Sequence, residues 1–314
     1  VGKIESWHKM SDGHEVFIKS WGEEIKTPRA IVQLSHGMAE HIKRYDYVAE
    51  KLVSENIVVI GNDHRGHGET GRNSGKLGFI AEENGFERIV LDVKELNEHI
   101  HHKYPTVPVF LLGHSMGSFL ARRFIQRFHG QVNGVIIVGT GGNPGILGKI
   151  GKTLAAVQKR KHGSQMESPF MNKLIFGSYN KQFPDQQTSF DWLTRDKNEV
   201  SKYLDDEFCG FVATTSFYYD LLEGLEIIHR NQEVAKIDKN LPIFFVSGAK
   251  DPVGKASKGV SDVIEQYKRY QISNIEYKFY DEARHEILNE LNRDEVIQDI
   301  LSWLNKQLLH LNNY

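Results

Sequence analysis

The chain has 314 residues and a formal net charge of -2, with 39% hydrophobic and 25% charged residues. That composition is expected of a water-soluble globular protein and sets aside a nucleic-acid binder, whose domain would be basic. The single cysteine, Cys209, excludes an intrachain disulfide and a zinc site built on several cysteines, and reads as a small cap or core residue.

No apolar run reaches the length of a membrane-spanning helix. The opening Val1-Gly2-Lys3-Ile4-Glu5 lacks the pattern of a signal peptide, so a cytoplasmic location is the default expectation. Residues 15–21 alternate as a strand and follow a Ser11-Asp12-Gly13 turn, which predicts an antiparallel hairpin. Buried strands are expected at 30–34, 57–60, 109–112, 135–138, 242–246 and 275–280, where short apolar runs occur. Helices are expected at 47–54, 87–101, 118–127 and 294–309, with Ile89, Val93, Leu96 and Ile100 setting the spacing of the second. Strands alternating with helices predict an α/β fold: a mostly parallel sheet with helices on both faces and ligands beyond the carboxyl ends of the strands. Residues 143–217 break this alternation. They are expected to form a helical cap inserted into a core made of residues 1–142 and 218–314.

The chemistry centres on Gly113-His114-Ser115-Met116-Gly117, which joins a buried strand to a helix. A G-x-S-x-G turn in that setting lifts the serine hydroxyl above the sheet, with glycines where backbone passes too close for side chains. A serine needs a general base, and the base needs a group that orients it. Asp251 follows the strand at 242–246 and His285 follows the strand at 275–280, so Ser115, Asp251 and His285 fall in the chain order of this architecture. Backbone N–H groups of Met116 and of Met38, in the loop Ser35-His36-Gly37-Met38-Ala39-Glu40-His41, are the candidate oxyanion donors; Gly37 permits close approach of that loop. The 15 histidines match no helical metal motif, so neither a metal nor a cofactor is expected. His36, His41, His64 and His67 are expected to hydrogen-bond loops, and His101 and His102 to be solvated.

Together, His36-Gly37-Met38-Ala39-Glu40-His41 with Arg44-Tyr45, Asp63-His64-Arg65-Gly66-His67-Gly68, the serine turn, Asp251 and His285 resemble the α/β-hydrolase superfamily. Within it they resemble the monoacylglycerol lipase and lysophospholipase group, related to the serine aminopeptidases of the S33 type. The resemblance implies a helical cap, an oxyanion hole at Met38 and Met116, and a supporting role for Glu40, His41, Arg44, Tyr45 and His114 around the pocket loop. It implies a serine carboxylester hydrolase acting on a small-molecule, lipid-like ester with one acyl chain. The alternatives are a serine aminopeptidase and a non-catalytic binding protein on the same scaffold. Ser118 and the pair Met38-Ala39 depart from the common pattern, and Met38 is expected to narrow the acyl side of the pocket.

Residues 145–160 place Ile146, Leu147, Ile150, Leu154 and Val157 along one helical face beside Lys149, Lys152, Lys159, Arg160 and Lys161. Such a helix either packs on its own domain or makes transient contact with an anionic membrane surface through the cap. The aromatic stretch 208–219, with Phe211, Phe217, Tyr218 and Tyr219, either lines an apolar tunnel or packs cap on core. The sequence leaves the oligomeric state open.

Overall fold

A computed structural model describes residues 1–312 of the chain. Its elements, in order, are β1 (Lys3–Lys9), β2 (Glu15–Trp21), β3 (Ala30–Ser35), α1 (Asp46–Val53), β4 (Ile57–Asn62), α2 (Gly68–Asn73), α3 (Gly85–Lys103), β5 (Val109–His114), α4 (Met116–Arg127) and β6 (Gly134–Val138). There follow α5 (Gly145–His162), α6 (Pro169–Phe176), α7 (Lys197–Asp205), α8 (Thr215–Ile228) and α9 (Asn231–Val234). The chain then returns to the sheet through β7 (Ile243–Gly248), α10 (Lys258–Arg269), β8 (Ile275–Tyr280) and α11 (Arg293–Asn312).

The eight strands form one sheet in the order β1-β2-β4-β3-β5-β6-β7-β8. β1 and β2 form the expected hairpin, and β2 runs antiparallel to β4. Every later pairing is parallel. The parallel strands at the centre are buried along their whole length, which explains why their sequences are unbroken apolar runs. One face of the sheet packs against α1 and α11 through Leu52, Val296, Ile300 and Leu304. The other packs against α3, α4 and α10 through Val93, Leu96, Phe124, Ile125 and Val263. This is the α/β class and parallel layering expected from the sequence.

Between β6 and β7 lies a helical segment without a strand of the main sheet. α5 packs against α8, not through its large apolar residues but through its small ones. Gly151 and Ala155 are buried there, and a Cβ on Gly151 would stand 3.3 Å from Leu222. Ile146 and Leu147 point outward at 77% and 78% exposure, with Ile150 and Val157 also exposed. Leu154 alone of the five apolar residues is drawn into the contact. Helix α8 begins at Thr215 and joins this segment to the core, since Phe217, Tyr218 and Leu221 pack with Phe86, Ile89 and Leu120.

Candidate active site

β5 ends at His114, and α4 begins at Met116, so one residue makes the whole turn. Ser115 takes φ 52° and ψ -120°, a backbone conformation that only a tightly packed surround sustains in a residue with a Cβ. The flanking glycines show why. A Cβ on Gly113 would lie 2.2 Å from the carbonyl oxygen of Gly117, and one on Gly117 would lie 2.0 Å from that of Ser35. The Ser115 N–H donates to Val138 O at 3.0 Å, tying the turn to the end of β6.

β7 and β8 deliver the other two residues. Their ends abut: Ala249 N–H donates to Tyr280 O at 2.9 Å and Lys250 N–H to Ala283 O at 3.0 Å. Asp251 is fully buried, and each of its carboxylate oxygens lies 3.0 Å from His285 Nδ1. His285 Nε2 lies 2.8 Å from Ser115 Oγ. Asp251 also accepts from Val253 N–H at 2.8 Å, which holds its carboxylate plane against the ring. With Nδ1–H donated to the carboxylate, Nε2 carries the lone pair that faces the hydroxyl. The Trp192 ring lies 5.1 Å from His285 and the His114 ring 5.0 Å from it, so two neighbouring rings pack on the imidazole.

The loop after β3 packs directly on the serine: a Cβ on Gly37 would fall 3.1 Å from the Ser115 Cβ. Met38 and Met116 both line the cavity above Ser115. Met116 is the first residue of α4, where N–H groups have no intrahelical acceptor. Ser118 turns its hydroxyl back to Ser115 O at 2.5 Å, so it locks the first turn of α4.

Glu40 is the hub behind this loop. Its Oε1 accepts from Gly37 N–H at 2.6 Å, Tyr45 OH at 2.8 Å and His114 Nδ1 at 3.0 Å. Its Oε2 meets Arg44 Nη1 at 2.9 Å. Arg44 grips Glu286 with two further bonds of 2.6 and 2.7 Å. Burial alone would push the Glu40 carboxyl up, but the His114 hydrogen bond and charge, with Arg44, hold it well below the usual carboxylate range. Burial likewise opposes the charged form of His114, yet Glu40 raises its pKa. The second ring nitrogen of His114 reaches His285 O at 3.4 Å, so both nitrogens face acceptors, as an imidazolium requires. His41 sits apart from this hub and bonds Asp206 through Nε2 at 2.8 Å.

Glu286 is a site residue that the sequence reading missed; it follows His285 directly, but its partner Arg44 is 242 positions away. Trp192 is another, for the same reason of distance along the chain. The aromatic stretch behaves unevenly: Phe211 lines the cavity, whereas Phe217 and Tyr218 are fully buried between α8 and the core. The cavity wall is instead supplied by Phe119, Phe176, Tyr179, Phe190, Trp192 and Tyr203. Its volume is about 460 Å³, within the range of pockets that enclose small molecules.

Several histidine rings bond backbone, whereas that of His64 meets Ser35 Oγ at 3.0 Å. His36 Nε2 accepts from His64 N–H at 2.9 Å and its Nδ1 donates to Gly37 O at 2.7 Å. His67 donates to Arg65 O at 3.0 Å. His101 departs from the solvated reading, since its Nε2 reaches Gln131 O at 2.8 Å. His41, Asp206 and Cys209 bring three potential ligand atoms within 4.8 Å of one another. There His41 is already committed to Asp206, and burial pushes the Cys209 thiol up, against the thiolate a metal would need.

These buried rings make the fold acid-sensitive. Burial depresses His36, holds His64 at about 3 and His67 at about 4, and burial with the Arg122 charge holds His229 at about 3. A depressed histidine contributes stability that is present above its unfolded value near 6.5 and is lost as pH falls toward the folded value. Asp63, raised by burial to about 6, and Asp220, raised by burial to about 7, act in the opposite sense. Asp92, raised by burial, and His114, raised against burial by Glu40, oppose the loss as well. The depressed rings carry the larger shifts, so lowering the pH from 7 to 5 should reduce stability. A urea midpoint that does not fall over this interval would refute the balance.

The family described as serine aminopeptidase, S33, matches residues 26–292. A monoglyceride lipase of Mus musculus is 27% identical over 301 residues, covering 95% of this chain and 89% of its own. A monoacylglycerol lipase of Mycolicibacterium smegmatis is 26% identical over 280 residues, covering 88% of each. A thermostable carboxyl esterase from Bacillus coagulans, solved with glycerol, superimposes with a TM-score of 0.90 at 28% identity, over 98% of this chain and 99% of that one. A match over most of the chain, on the α/β-hydrolase architecture described above, identifies this protein as a member of the serine aminopeptidase, S33, family.

Proposed function

We propose that the chain is a serine carboxylester hydrolase acting on lipid-like esters with one acyl chain, monoacylglycerols or lysophospholipids. The observation that carries this reading is the unbroken hydrogen-bonded series from Asp251 through His285 to Ser115 at the floor of an aromatic-walled cavity. The similar lipases and esterase support the ester class and the single acyl chain.

In this reading Ser115 Oγ attacks the ester carbonyl carbon as its proton passes to His285 Nε2. The carbonyl oxygen becomes an anion held by the N–H groups of Met38 and Met116. Collapse breaks the bond to the alcohol, which takes the proton from His285 Nε2 as it leaves. Water then attacks the acyl carbon while giving a proton to His285; the second collapse releases the fatty acid and returns the proton to Ser115. Asp251 fixes the Nδ1–H tautomer and stabilises the imidazolium in both halves. Glu40, Gly37, His41 and His114 hold the loop rather than react.

An aminopeptidase would need an acidic group to hold the substrate's ammonium. Among the described residues, the carboxylates lining the cavity are Glu40 and Glu286, and both are engaged by Arg44. That favours the ester. Parallel turnover of p-nitrophenyl acyl esters and aminoacyl-p-nitroanilides tests it; preferential cleavage of the anilides would overturn it. Fluorophosphonate labelling tests the binding-protein alternative, which a folded but unreactive protein would favour.

We assign residues 143–217 as a cap over a core of 1–142 and 218–314, with α8 running through the second junction. We also propose a cytoplasmic protein that touches membranes transiently. No helix among the described residues is long and apolar enough to cross a membrane. The outward Ile146, Leu147, Ile150 and Val157 lie on the same helix as Lys149, Lys159, Arg160 and Lys161, and Phe170 and Leu174 of α6 are exposed too. Leu147→Glu with Ile150→Glu should reduce sedimentation with anionic vesicles; equal partitioning of variant and wild type would remove the membrane contact.

A further inference from the structure

The residue after the candidate oxyanion donor is Ala39, and it sits at φ 54°. A residue with a Cβ resists this left-handed conformation, so something must hold it there. Two donors do, and both come from the helical segment between β6 and β7. Tyr203 OH donates to Ala39 O at 2.8 Å, and Gly210 N–H donates to the same oxygen at 3.0 Å.

The clamp is itself braced. Tyr203 is 5% exposed; its ring lies 4.8 Å from the Arg44 guanidinium on one contact and 5.0 Å from Phe190 on another. Gly210 has φ 67°, and a Cβ there would lie 3.1 Å from Phe190 and 3.3 Å from Tyr203, so the segment closes tightly on the ring. Asp206 bonds His41 at 2.8 Å, and Phe208 lies under Arg72 at 4.1 Å. The same stretch therefore touches the oxyanion loop on both sides of Glu40.

We propose that Tyr203 is a positioning residue: by clamping the Ala39 carbonyl, it sets the direction of the Met38 N–H and makes the oxyanion hole depend on closure of the cap. The inference rests on the assignment of Met38 as a donor in ester hydrolysis. Glu40 fixes the loop from the core side through Gly37 N–H, and Tyr203 fixes it from the cap side; Met38 lies between the two anchors. A misdirected donor costs transition-state stabilisation more than substrate binding, because the oxyanion exists only after attack.

The test compares wild type, Tyr203→Phe, Ala39→Gly and Ala39→Gly with Tyr203→Phe on one p-nitrophenyl ester. Tyr203→Phe keeps the ring and removes the donor; kcat should fall about 10- to 100-fold with KM changed less than about 3-fold. Affinity for a trifluoromethyl ketone, which forms a tetrahedral adduct, should fall in parallel with kcat/KM. Glycine accepts the left-handed conformation without strain, so Ala39→Gly should restore part of kcat to the Tyr203→Phe enzyme. A rise in KM with kcat unchanged would leave Tyr203 with its role in the cavity wall alone and overturn the proposal, as would an unaltered kcat or an absence of rescue. Should Tyr203→Phe melt below wild type, the kinetics are read at a temperature where thermal melting shows both proteins folded; a kcat equal to wild type there would overturn the clamp. A wild-type enzyme that neither turns over esters nor labels with a fluorophosphonate would instead remove the underlying hydrolase reading.

Discussion

Ser115→Ala should lower kcat for ester hydrolysis by roughly 10⁴- to 10⁶-fold and abolish fluorophosphonate labelling, while changing stability by less than about 1 kcal/mol. The size of the effect follows from the geometry. Among the described residues, the hydrogen-bond partner of His285 Nε2 is the Ser115 hydroxyl, at 2.8 Å. The small stability change follows from what holds the turn. Its backbone is fixed by the Gly113–Gly117 contact, the bond from Ser115 N–H to Val138 O and the Ser118 hydroxyl, none of which needs the Ser115 side chain. His285→Ala should cost a comparable factor, since the hydroxyl then has no base, and Asp251→Asn a smaller one. The effects are not additive: a Ser115→Ala, His285→Ala double variant should be about as slow as either single one. Residual activity within about 10-fold of wild type in purified Ser115→Ala would mean that another nucleophile does the work.

The reach of the sequence depended on how local each signal was. The parallel strands were legible because burial on both faces leaves continuous apolar runs such as Val109-Phe110-Leu111-Leu112. The positions of Ser115, Asp251 and His285 were legible because a parallel sheet sends the ends of β5, β7 and β8 to one edge. Strand β1 is different: its residues are exposed or nearly so on both faces, and only the hairpin turn implied it. Helix α10 was missed although Val260, Val263, Ile264 and Tyr267 repeat at helical spacing. The sequence left open where the apolar face of α5 turns, for a physical reason: Gly151 and Ala155 allow close approach to α8, so the bulky residues that usually mark the buried side turn out to water. Long-range polar pairs left no trace at all. Nothing in the order of residues says that Arg44 meets Glu286, that Tyr203 meets Ala39, or that the buried Arg122 finds His229 Nε2 at 2.9 Å.

Arg44→Met should be the most damaging substitution outside the reacting groups, costing about 3–5 kcal/mol at pH 7–8. Arg44 is buried with Glu40 and Glu286, and its removal leaves two carboxylates in the interior without a cation beyond His114. In wild type the Arg44 charge helps to hold Glu286 below its ordinary value against burial, and with His114 does the same for Glu40. Groups depressed in this way contribute stability above about pH 4.5 that is lost as pH falls through the folded values. Without Arg44, burial dominates and the folded values rise, so the variant is penalised most where both carboxylates must ionise. The deficit relative to wild type should therefore shrink as pH falls from 8 toward 5, against the direction in which the buried histidines weaken both proteins. Adding Glu286→Gln should recover part of the loss, because it removes one unpaired charge while keeping the shape. Activity should drop too, since Glu40 carries the Gly37 N–H and Glu286 is joined directly to His285. Urea unfolding at several pH values checks the account: a deficit that stays constant or grows in acid would show that Arg44 acts through packing on Tyr203 rather than through charge.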